Sequence, residues 1–160
     1  MGFRSIVNGA VDLGVEMKEK RVDLITSTGN WTAPSGVTYV IATIVSGGGG
    51  GGGNNIESGF IGGESSAFGT TAPGGNGGHG VSGYFTGASF TGAANTGMPG
   101  STALGSTYQG QSDPWPAREL VVGASVTPGT TYTITIGAGG AGRGGGAAGG
   151  SGFVNIEYYV

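Results

Sequence analysis

Polar and apolar positions alternate from Val11 to Lys18, where Val11, Leu13, Val15 and Met17 are interleaved with Asp12, Gly14, Glu16 and Lys18. That period of two predicts a strand with one buried face, with an amphipathic helix as the weaker alternative. A second alternation closes the chain: Val154, Ile156, Tyr158 and Val160 against Phe153, Asn155, Glu157 and Tyr159. Between them, Val37 to Val45 is apolar on both faces, which predicts a strand covered on both sides. It follows the turn sequence Trp31-Thr-Ala-Pro-Ser-Gly36. Two further strands, Glu119 to Val126 and Tyr132 to Ile136, flank Thr127-Pro-Gly-Thr-Thr131, and the Pro-Gly pair predicts a type II turn closing a β-hairpin.

Glycine makes up 40 of the 160 residues, with its densest runs at Gly47 to Gly53, Gly74 to Gly80 and Gly137 to Gly152. Glycine loses more backbone entropy on folding than any other residue, so such runs are linkers unless they pack on one another. Their spacing favours packing. Every third position from Gly137 is Gly137, Gly140, Arg143, Gly146, Gly149 and Gly152, and from Gly74 it is Gly74, Gly77, Gly80 and Gly83. Three residues per turn is the repeat of an extended polyproline-II-type helix, and glycine at each third place leaves one edge bare for a neighbouring backbone. The predicted fold class is therefore all-β, a small sandwich or sheet with glycine-rich insertions forming polyglycine-II-type helices.

Charge changes the picture at the N-terminus, where eight of the fifteen charged residues precede Leu24. The expected division is a strand-like docking arm over residues 1–28 and a glycine-rich β domain over 29–160, with a long insertion over 47–118 that shows no convincing strand. Six Lys and Arg residues and a net charge of -3 exclude the basic stripe of a nucleic-acid binder. No apolar stretch reaches the length of a membrane span or a signal peptide, and there is no cysteine to bridge. Stability must then come from packing or from oligomerisation.

Three landmarks in order extend over about four-fifths of the chain: Trp31 to Val45 running into Gly47 to Gly53, Val126 to Gly142 with its Thr-Pro-Gly-Thr-Thr-Tyr opening, and the closing Gly152-Phe-Val-Asn-Ile-Glu-Tyr158. Together they resemble the glycine-rich domain of bacteriophage tail-fibre and tail-tip proteins. The resemblance implies a virion protein, assembled from the host cytoplasm, at a host-facing site and forming a homotrimer. The arm would then bind other tail or capsid proteins, and the partner outside would be a host surface glycan or outer-membrane protein.

Catalytic chemistry is hard to find. His79 is the only histidine, Glu57, Glu64 and Asp113 are scattered, and no Gly-Lys-Ser/Thr follows the first glycine run, so neither a catalytic nor a metal site nor a cofactor is expected. Aromatic residues of the long insertion lie among Ser, Thr and Asn, a paratope-like mixture of rigid anchors and adaptable hydrogen bonders. The expected receptor-binding residues are Tyr84, Phe85, Phe90, Tyr108 and Trp115, whereas Phe60 and Phe68 are expected to pack between glycine helices. Two functions follow, host recognition and structural decoration of the virion, with an enzyme a distant third.

Overall fold

A computed structural model describes residues 6–7, 10–11, 18–52, 58–78, 117–144 and 146–160. Ten strands are present and no helix occurs among the described residues: β1 (Ile6–Val7), β2 (Ala10–Val11), β3 (Lys20–Ile25), β4 (Gly29–Thr32), β5 (Tyr39–Val45), β6 (Ser65–Ala67), β7 (Thr70–Ala72), β8 (Glu119–Ser125), β9 (Thr131–Ile134) and β10 (Phe153–Tyr159). The main sheet is antiparallel throughout, in the order β3-β10-β5-β8. One face of it is largely apolar, with Asp23 and Arg21 on the β3 edge as exceptions, and its Val40, Ala42, Ile44, Val154 and Ile156 are almost completely buried. Burying each of these Val and Ile side chains contributes about 1.5–3 kcal/mol. The alternation read between residues 11 and 18 falls at 12–17, outside the described residues, whereas the next six-residue stretch, β3, is an edge of this sheet.

Two small pairs cover the apolar face. β4 pairs with β9 and β6 with β7, and a bridge between Ser66 and Thr135 links the pairs through backbone bonds of 2.9 Å each way. Trp31 on β4 is the centre of the contact, with its ring against Phe68, Tyr132 and Tyr158 at centroid distances of 5.7, 6.2 and 6.0 Å. Its indole Nε1 donates to Asp23 Oδ2 at 2.7 Å, so the buried donor is satisfied from across the layer. Tyr158 shares this environment, and burial, reinforced by a hydrogen bond with Asp23, raises its pKa above the usual tyrosine value.

Three expectations are corrected. The turn at Thr127 to Thr130 forms, with Thr130 N donating to Thr127 O at 3.0 Å and Gly129 at φ +77°, but it does not close a hairpin. β8 pairs with β5 while β9 crosses to β4, because Ala33 at the end of β4 holds the turn through Gly129 N to Ala33 O at 2.8 Å and Ala33 N to Thr130 O at 2.9 Å. β5 is not covered on both sides: Tyr39 and Ile41 remain 56% and 41% exposed on the outer face. Nor is the insertion free of strands. β6 and β7 form a hairpin inside it around Phe68 and Gly69, both at positive φ (50° and 77°).

Candidate recognition surface

Five glycine-rich segments grow from the strands, each with one end fixed in them. Residues 46–52 continue β5, 73–78 continue β7 and 137–143 follow β9, all leading outward; 58–64 return into β6 and 146–152 into β10. Extended backbone has no internal hydrogen bonds, so each segment must find partners in its neighbours. They do so at intervals of three residues. Gly47 and Gly50 donate to Gly63 and Phe60 at 2.9 Å, and Gly48 and Gly51 donate to Gly150 and Ala147 at 3.0 and 2.8 Å. Gly75 and Gly78 donate to Gly47 and Gly50, Gly140 and Arg143 to Gly48 and Gly51, and Gly149 and Gly152 to Gly140 and Gly137. Donor and acceptor numbers rise together where segments run parallel and oppose where they run antiparallel. The segment 46–52 is bonded to all four others and is buried along its whole length.

Close approach explains the composition. A Cβ on Gly50 would overlap the carbonyl of Ala141, and one on Gly49 would overlap that of Asn76. Burial repeats with the same period, at Ala72, Gly75 and Gly78 and at Ile134, Gly137 and Gly140. Side chains occupy the intervening outward places: Ile61 and Glu64 on one segment, Asn76 on another, Ala138 and Ala141 on a third. Successive outward places are about 9 Å apart along a segment, so the surface is a ribbed array of separated side chains.

Arg143 stands at the glycine register of its segment but at the end away from the sheets, where Gly146 N closes a turn onto its carbonyl at 2.8 Å with Gly144 at φ +54°. Its guanidinium lies over the Phe60 ring, 4.5 Å from the centroid, a cation–π contact. Phe60 is therefore a half-exposed surface residue, not one packed between glycine segments. Phe68 packs on Trp31 and Tyr132 between the small pairs. The Phe60 and Arg143 pair was not recognised from sequence; the one signal for it was Arg143 interrupting the glycine series.

Tyr84, Phe85, Phe90, Tyr108 and Trp115 lie outside the described residues, as do His79, Glu57 and Asp113. The last described residue before that region, Gly78, lies on the same side of the lattice as Gly52, Ser58 and the Arg143 turn. The chain comes back at Ala117, immediately before β8. Nearer the sheets, a groove of about 530 Å³ runs between Phe68, Tyr132 and the Gly123 to Ser125 end of β8. Among the described residues no three His, Cys, Asp or Glu side chains are placed to hold a metal ion, and no helix is long and apolar enough to cross a membrane.

No family model, curated protein or solved structure matches the chain.

Proposed function

We propose that this chain is a bacteriophage virion protein of the tail tip or fibre tip, and that its glycine segments are polyglycine-II helices bundled into a stiff mount for a receptor-binding insertion. The carrying observation is directional. Every described glycine segment runs from the strands toward one outer end, and Gly78, the last described residue before the region with Tyr84, Phe85, Phe90, Tyr108 and Trp115, lies toward that end. A mount of cross-bonded backbone lowers the ordering cost of binding for whatever it holds, which is the general benefit of preorganisation. The receptor is a host surface glycan or outer-membrane protein, met by aromatic anchors set among small polar groups.

Adsorption tests this reading. Purified chain, or antibody against it, is expected to block attachment of the particle to its host, and replacing Tyr84, Phe85 and Trp115 together by Ala should abolish the block while leaving the fold intact. Undiminished adsorption in the presence of saturating chain would assign it instead to structural decoration of the virion.

Attachment to other tail or capsid proteins falls to the arm, residues 1–28, and the working form is a homotrimer. Within the arm, β1 and β2 pair with each other, and β3 belongs to the main sheet. Removing residues 1–17 should therefore give a folded chain that no longer enters particles. Normal incorporation of the truncated chain would refute the docking role.

A further inference from the structure

The main sheet ends in two edges, β3 and β8, and among the described residues no strand pairs with the outer side of either. Their hydrogen-bonding pattern follows from the pairs that flank them. Glu19 and Val160 exchange two bonds, at 2.8 and 3.0 Å, so by alternation Arg21, Asp23 and Ile25 bond to β10 while the backbones of Lys20, Val22 and Leu24 point outward. Val126 N bonds Thr38 O at 2.9 Å and Ser46 N bonds Arg118 O at 3.1 Å, which directs Glu119, Val121, Gly123 and Ser125 outward from β8.

Side chains mark the same two edges. The outer face carries Asn155, Glu157 and Thr43 beside the exposed Tyr39 and Ile41 on its inner strands, and exposed apolar groups continue onto both rims: Val22 and Leu24 on β3 are 49% and 59% exposed, and Val121 on β8 is 64% exposed. An exposed edge with apolar side chains is a template for strand addition, and proteins that stay monomeric blunt it with charge, proline or bulges. The charged group on the outward-pointing part of β3, Lys20, is already held by Glu157 at 2.7 Å.

We propose that copies of this chain assemble edge to edge, β8 of one copy adding to β3 of the next. Four conditions for that seam are met. β3 and β8 run in opposite directions, so the join is antiparallel like every other in the sheet. They are six and seven residues long. The outward-pointing backbone on both belongs to residues whose side chains share the outer face, so the join keeps that face on one side. Finally, the rows continue: Leu24, Asn155, Thr43 and Val121 lie in one cross-strand row, and extending it sets Val121 against Leu24 of the next copy and Gly123 against its Val22. No like charges meet, because Lys20 of the next copy then faces Ser125. A contact between two different edges is heterologous, and a closing rotation turns it into a ring. This inference rests on the reading of the chain as a homo-oligomer and names the surface that makes it one.

Complementation in sedimentation velocity is the test. Leu24→Lys and Val121→Lys each spoil one edge, so each variant alone should be monomeric where the wild type is assembled. Mixed in equal amounts, they should form a heterodimer through the one seam that joins two intact edges. As the chain has no cysteine, copies carrying Leu24→Cys should also cross-link on oxidation to copies carrying Val121→Cys, and neither should cross-link to itself; this reading does not depend on the lysine variants folding. Either lysine variant assembling alone, or self-cross-linking of one cysteine variant, would overturn the seam while leaving self-assembly standing. A monomeric wild type would overturn both.

Discussion

A glycine inside the lattice and one outside it differ by what a single methyl group would meet. At Gly50 the methyl falls on the Ala141 carbonyl, backbone that is itself bonded to Phe60 N at 2.9 Å and cannot withdraw alone. Gly29, on β4, has nothing nearer than 3.9 Å and no positive φ. Gly50→Ala is therefore expected to cost about 3 kcal/mol or more by overpacking, whereas Gly29→Ala should change stability by less than about 1 kcal/mol and in the favourable direction. Denaturant unfolding of the two variants checks this. Equal stabilities would mean that the segments around Gly50 are loosely held. The third-place spacing was legible at this scale because close backbone contact admits only glycine at the contacting place. Arg143 was present in that series from the start, but its cation–π partner Phe60 is far away in sequence, so the pair could not be read from local pattern.

Strands were legible where side-chain pattern and burial coincide. β5, β8 and β10 stand within a residue or two of the predicted stretches because their inner-face residues, such as Val40, Val122 and Ile156, are periodic and large. β6 and β7 escaped detection for the opposite reason: Ser65-Ser-Ala67 and Thr70-Thr-Ala72 are short and small, and Ser65 Oγ is buried accepting from Gly137 N at 2.9 Å. Their pattern is dictated by the crowding of the adjacent glycine segments and carries no hydrophobic signature. The Pro128-Gly129 turn gives a different lesson. Local chemistry specified its type correctly, but pairing depends on which strand edge is free to accept the returning chain, and that is a property of the layers. The expected receptor-binding aromatics rest on composition alone, the mixture of Tyr, Phe and Trp with small polar residues, and lie outside the described residues.

The whole molecule joins a β core of ordinary kind to a glycine lattice with few side chains to bury. Such a lattice cannot be held by apolar area. Its cohesion comes from backbone bonds shielded from water, and from anchoring each segment in a strand that the core has already fixed. Core and lattice are expected to behave as one cooperative unit, stiff enough to hold the insertion in place. Native-state hydrogen exchange tests this most directly, through the amides of Gly48, Gly51, Gly140 and Gly149 alongside those of Ile44 and Val154. The glycine amides are expected to be protected and to open with the same free energy as the sheet. Glycine amides exchanging at the rate of an unstructured chain, while the strands stay protected, would contradict it and return the glycine runs to the status of linkers.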